Sequence, residues 1–168
     1  MRLIGLDPGL RNTGWGIIDS IQGKITWIGS GKISPNTNIE IAERLKIIHQ
    51  ELTKIIEEYQ PSSAGIEEIF VNKNPQSTLK LGMARGVAIA TCALKNLPVK
   101  EYAPTTIKQA VTGVGRANKD QIGAMIKLLL PGCKCSSEDE SDALAIAICH
   151  THNSQSKINN IIRHQYDS

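Results

Sequence analysis

The sequence predicts an α/β domain: a mixed five-stranded sheet, made of an antiparallel three-strand meander plus parallel strands, flanked by helices. Three observations lead there. Residues 1–33 hold three β-rich runs whose connections are too short for a helix, which favours antiparallel pairing. A clear amphipathic run follows over residues 39–59. Two more β-rich runs, 64–70 and 98–102, are each entered from a helix and so are expected to pair parallel.

In the first run, Leu3 to Asp7, side chains alternate, so Ile4 and Leu6 share one face and Leu3, Gly5 and Asp7 the other. A carboxylate ending an apolar strand needs hydrogen bonds, a cation or a bound metal. Asp before Pro8-Gly9 can also cap its own turn. Gly14 to Asp19 reads as the second strand, Gln22-Gly23-Lys24 as a turn, and Ile25 to Ile33 as the third strand.

Ser34 to Asn38 breaks the pattern and offers caps for the helix 39–59, where Ile41, Leu45, Ile48, Leu52, Ile55 and Tyr59 recur at helical spacing. The fourth strand, Ala64 to Phe70, carries Glu67 and Glu68 on opposite faces. Gln76 or Ser77 then opens a helix to about Lys95, apolar almost all round from Met83 to Ala90. In a domain this small, such a helix is expected to be covered by another subunit. Pro98 to Tyr102 is the fifth strand, and Pro104 suits the first turn of a helix over 104–112. A glycine-bearing loop, Thr112 to Asn118, leads into a helix capped by Asn118 and closed by Pro131-Gly132. Ser137 and Glu140 form a capping box before a last helix from Asp142 to about His150. The domain is expected to span 1–152, leaving a polar tail, 153–168, without an assigned structure.

A chain of 168 residues fits one compact domain with a real core. Its net charge of +3 does not announce a nucleic-acid partner, so any basic surface must be assembled by folding. The N-terminus runs straight into a strand and no apolar run could span a membrane, so a cytoplasmic location is expected. Cys92, Cys133, Cys135 and Cys149 are then expected as free thiols. Cys133 and Cys135 with Cys149, His150 and His152 match no familiar zinc spacing.

The acids repay closer reading. Asp139 and Asp142 lie three apart, one turn along a helix. The macrodipole accounts for Glu138 and Glu140 at a helix start, but less well for Asp142, which runs into the apolar Ala143 to Ile148. Asp7 ends the first strand and Glu67 lies on the neighbouring parallel strand, and sites in open sheets form beyond the carboxyl ends of strands. Four carboxylates together repel unless cations hold them, and hard oxygen ligands select Mg²⁺ or Mn²⁺. Two such ions are the usual machinery for in-line attack of water on a phosphodiester.

Ile4 to Gly9 with Thr13-Gly14, Ile66 to Phe70, Leu79 to Gly86, Lys108-Gln109 and Asp139 to Ala145 resemble, in that order, the RuvC family of Holliday junction resolvases. The resemblance covers residues 2 to about 152. It implies a ribonuclease H-like fold, a homodimer, and Mg²⁺-dependent paired nicking of four-way junction DNA, with two ions per site and Mn²⁺ as a substitute. It places the family's metal-binding, catalytic acids on Asp7, Glu67, Asp139 and Asp142, although some relatives carry His at the position of Asp139. It implies DNA contacts by Lys108 and Lys119, with Arg116 and Lys73 as further candidates, and an aromatic, Phe70, stacking on an unpaired base. A branch-migration helicase is the expected partner complex. Asp7-Pro8-Gly9 with Thr13-Gly14 is also similar to the phosphate loop of actin-like kinases and ATPases, which need a second domain that this length leaves no room for. A non-catalytic junction-binding module would lose acids that are present here. The related small nuclease that processes ribosomal RNA would lack the Leu79 to Gly86 block.

Overall fold

The computed structural model describes residues 1–69 and 75–166, the last of these, 155–166, as backbone alone. Its sheet has five strands in the order β3-β2-β1-β4-β5. β1 (Arg2–Asp7), β2 (Thr13–Ile21) and β3 (Lys24–Ile33) form the expected antiparallel meander. β4 (Ser63–Glu67) and β5 (Val99–Tyr102) extend it in parallel on the other side of β1. The first strand is therefore central, with both neighbours already in place before the chain reaches its last helix.

The alternation read in β1 divides the core in two. Ile4 and Leu6, with Ile17, Ala64 and Ile66, pack under α1 (Ile41–Tyr59) and α2 (Pro75–Leu94). Leu3 and Ile18 pack on the opposite face with α3 (Pro104–Thr112), α4 (Lys119–Leu129) and α5 (Glu138–Tyr166). Pro104 starts α3 as expected, and Gly113 ends it with a φ of 79°, a left-handed conformation that costs glycine little. Asn118 caps α4 in a complete capping box with Gln121.

Several boundaries differ from the sequence reading. β4 ends at Glu67 rather than Phe70, and Phe70 lies outside the described residues. None of Ser34 to Asn38 caps α1, whose N-cap is Glu40 without a side-chain bond. Their bonds go elsewhere: the Asn38 amide donates to Asn36 Oδ1 at 2.9 Å, and Ser34 donates to Asn12 Oδ1, on the β1–β2 turn, at 3.0 Å. The last helix starts at Glu138 and continues to Tyr166, through the segment for which the sequence offers no periodic apolar stripe. All four cysteines are free; Cys149 is buried beside Asn153, and both ring nitrogens of His150 are engaged by Tyr102 and Ser63. Among the described residues no helix is long and apolar enough to cross a membrane.

How α5 meets the sheet decides where the acids go. A Cβ built on Gly5 would stand 2.0 Å from the Ala143 carbonyl oxygen, and one on Gly14 would stand 2.0 Å from that of Asp139. On Gly16 it would stand 2.7 Å from Leu144 Cδ2. Three glycines on β1 and β2 thus open a channel into which the helix backbone sinks, closer than any side chain permits.

Candidate active site

Two of the acids are placed by strand ends. The parallel ladder between β1 and β4 runs as far as Leu6 opposite Ile66, so Asp7 and Glu67 stand one step beyond it, side by side at the carboxyl ends. By alternation they share the face of Gly5 and Gly65, which α5 covers. The other two acids are placed by the glycine channel. Gly14 pairs with Asp7 across the sheet, and the backbone of Asp139 rests directly on Gly14. The first turn of α5 therefore carries Asp139 and Asp142 over the end of β1.

The charges register the crowding. Burial, followed by the charges of Asp142, Glu67 and Asp139, pushes the Asp7 carboxyl up to about 7, against the opposing pull of Lys119. Glu67 is raised by burial and then by Asp142, with Lys108 opposing. Asp142 is raised by burial as well; Lys119 pulls it down, while Glu138 and Asp139 add to the rise. Carboxylates that raise one another in this way hold too much negative charge for their surroundings.

All are hard oxygen donors, a set suited to Mg²⁺ or Mn²⁺. Among the described residues, no three His, Cys, Asp or Glu side chains already stand together as a ready-made metal site. In donor chemistry and in charge the residues suit such ions.

Beside the acids lies a cleft of about 450 Å³ lined by Glu67, Asp142, Lys108 and Lys119, with Ile107, Ile122 and Ile146 on its apolar side. Lys119 also pairs with Glu138 at 2.5 Å, and both partners are exposed. Arg116 is exposed on the turn before α4 and does not line this cleft. Lys73 and Phe70 lie outside the described residues. Of the nine residues singled out in the sequence, the structure thus brings the four acids and two lysines into one neighbourhood.

Two further residues shape the site. Arg85, from α2, donates through Nε to the Glu67 carbonyl at 3.1 Å and pairs with Glu101 of β5. Glu140, read from the sequence only as an acid suited to a helix start, is 5% exposed. It accepts from the hydroxyls of Ser136 (2.7 Å), Ser137 (3.1 Å) and Ser30 (3.0 Å), and these bonds hold its carboxyl below the usual range despite burial. The Ser30 bond moors the start of α5 to β3. Ser137 accepts from the Glu140 amide at 3.3 Å, so one half of the expected capping box forms, while the carboxylate turns inward to the hydroxyls.

The model of the family described as crossover junction endodeoxyribonuclease RuvC matches residues 3–150. The chain is 53% identical over 152 residues to the crossover junction endodeoxyribonuclease RuvC of Paramagnetospirillum magneticum, covering 90% of this chain and 92% of that one. To its counterpart in Brucella anthropi it is 49% identical over 156 residues, covering 93% and 91%. The structure of T. thermophilus RuvC in complex with Holliday junction substrate superposes with a TM-score of 0.88 at 25% identity, over 94% of this chain and 96% of that one. The yeast mitochondrial Holliday junction resolvase Ydc2 shares the fold, with a TM-score of 0.63 at 13% identity over 88% and 77% of the two chains. The mixed sheet is thus the ribonuclease H-like arrangement that the sequence leads one to expect. A match running from β1 through the buried part of α5, with all four acids inside it, makes this chain a member of the crossover junction endodeoxyribonuclease RuvC family.

Proposed function

We propose that this endonuclease resolves four-way DNA junctions by paired nicks in opposed strands, using Mg²⁺ or Mn²⁺ held by Asp7, Glu67, Asp139 and Asp142. One observation carries the reading: two strand ends and one helix face bring four carboxylates to the same end of the sheet, where burial and the other three charges raise the Asp7 carboxyl to about 7, with two lysines at the edge. Two divalent ions held there would supply an activated water and offset the charge that develops on the phosphodiester. Asp7 and Glu67, fixed at strand ends, hold the inner side of the site, and Asp142 closes it from α5. Lys108 and Lys119 draw the phosphate backbone toward the acids, and Lys119 gives up its exposed pairing with Glu138 to do so. Arg116 and Lys73 extend the basic track. Phe70 stacks on a base left unpaired at the crossover, a contact worth about 1–3 kcal/mol that tolerates many sequences.

Paired nicks need two centres, and a two-fold homodimer across the outer face of α2 provides them. Junctions delivered by a branch-migration helicase are the substrate in the cell. The test is incubation with a synthetic four-way junction and Mg²⁺, with plain duplex of the same sequence as control. Symmetrical nicks on the junction alone are expected; equal cutting of the duplex, or no cutting of the junction, overturns the reading.

A further inference from the structure

Arg85 and Lys80 are the only charged residues of α2, a helix otherwise built from small, polar and apolar side chains. The Arg85 side chain is only 17% exposed, and a charge so far withdrawn from water needs partners. Among the described residues it has two, on two strands. Nε donates to the backbone carbonyl of Glu67 at the end of β4, and Nη2 pairs with the Glu101 carboxylate of β5.

The place it grips is the weak point of the site. The β4–β5 ladder ends with Glu67 opposite Tyr102, and the Glu68 amide makes one last bond to the Tyr102 carbonyl at 2.9 Å. Glu68 and Ile69 belong to no strand. Glu67 is therefore the last residue of β4, with a single ladder bond beyond it, and its carboxyl is raised by burial and then by the charge of Asp142, with Lys108 opposing. A strand end under like-charge repulsion turns away from the cluster unless its backbone is fixed. A guanidinium is a planar fork that sets position and orientation together, whereas a lysine ammonium supplies a single point of charge.

We propose that Arg85 is a positioning residue of the nuclease centre, fixing the Glu67 backbone from α2 so that the carboxylate stays aimed at the incoming cation. This rests on the reading of Glu67 as a metal-binding acid. It also ties the acid cluster to the helix whose outer face is assigned above to the second copy.

Calorimetric titration with Mn²⁺ alone, without DNA, tests it on the wild-type chain and on Arg85→Ala, Arg85→Lys and Glu67→Gln. Glu67→Gln is expected to weaken Mn²⁺ binding, and Arg85→Ala to weaken it by about 10-fold, the lower end for loss of a group that orients a ligand. Arg85→Lys should recover part of that loss. With junction and Mg²⁺, Arg85→Ala should need about 10-fold more Mg²⁺ for half its maximal nicking rate and approach the wild-type rate at saturation. Junction binding without divalent ions, and the mass in solution, should match wild type. Wild-type Mn²⁺ affinity in Arg85→Ala overturns the proposal, and so does a lowered saturated rate at an unchanged Mg²⁺ requirement. If Arg85→Ala does not fold, Arg85→Lys carries the same two titrations, with wild-type metal dependence again fatal. A wild-type chain that binds Mn²⁺ through Glu67 yet leaves junctions uncut defeats the proposed function, and the Mn²⁺ comparison still decides on Arg85.

Discussion

Asp7 is the residue on which the charge of the site concentrates, and its behaviour can be stated with a sign. Its carboxyl is pushed up from 3.8 to about 7, so without a divalent ion the folded chain holds that proton more tightly than the unfolded chain does. The stability this proton lends is complete below about pH 4 and is lost as pH rises to about 7. Asparagine is neutral throughout, so metal-free Asp7→Asn should gain on wild type across that window, by at most about 4 kcal/mol at pH 8, with Glu67 and Asp142 sharing the effect. Melts at pH 5 and pH 8 in a chelator measure the gap, and a gap that does not change with pH would mean the acids are not crowded. The same variant should bind junctions at least as well as wild type and fail to nick them; retained nicking in Mg²⁺ would remove Asp7 from the chemistry. Lys119 makes the complementary case. Its bond to Glu138 joins two exposed groups and adds little stability, so it is free to trade that carboxylate for a phosphate. Lys119→Ala should weaken binding to every junction sequence and flatten the salt dependence by about one unit of slope. An unchanged slope would leave Lys119 a solvated lysine.

One step up, the element that matters is α5, seated in its glycine channel. Gly14→Ala places a methyl against the Asp139 backbone, which cannot step aside as a flexible side chain would. Overpacking of this kind costs about 1–3 kcal/mol, and the helix can relieve it only by lifting Asp139 and Asp142 away from Asp7. Nicking should therefore fall far more than stability. Gly123→Ala on α4, where an added methyl meets nothing within 4 Å, is the matched control and should be neutral or slightly stabilising. Full nicking by Gly14→Ala would show that the acids do not depend on this seat. Much of this element was legible beforehand, because strand alternation put Gly5 and Asp7 on one face and helical spacing put Asp139 and Asp142 on another. What stayed hidden depends on contacts between distant parts of the chain. Glu140 looks like any acid at a helix start until Ser30, 110 residues earlier, is found donating to it. Arg85 looks like a stray charge until the ends of β4 and β5 meet beneath it. The sequence carries β4 too far for the opposite reason: Ile69 and Phe70 continue an apolar pattern, and composition does not record where a ladder stops.

At the scale of the whole molecule, the unresolved demand is the outer face of α2. Leu79 is 64% exposed and Met83 45%, on a helix whose inner side is closed by Ala84, Ala88, Thr91 and Cys92. Among the described residues nothing lies within 4 Å of a methyl added at Gly82 or Gly86. Apolar side chains beside glycines form a surface that lets a second backbone approach closely, and a homodimer across it is what paired nicking requires. Gly86→Glu isolates that role, because inside one chain the new side chain has room and replaces a poor helix former with a better one. The isolated chain should therefore fold as well as wild type, with no loss in its melting temperature once concentration is taken into account. Across the proposed close interface the same side chain buries a charge opposite its own copy, and light scattering should report a monomer where a dimer is expected of wild type. The chemical signature follows from losing simultaneity. On a supercoiled plasmid that extrudes a cruciform, wild type should release linear product from two nicks made within the life of one complex. Gly86→Glu should accumulate nicked circles, since the cruciform collapses after the first cut and leaves no junction for a second. A Gly86→Glu chain that stays dimeric, or a monomer that still yields linear product at the wild-type proportion, would detach α2 from the pairing of the two cuts.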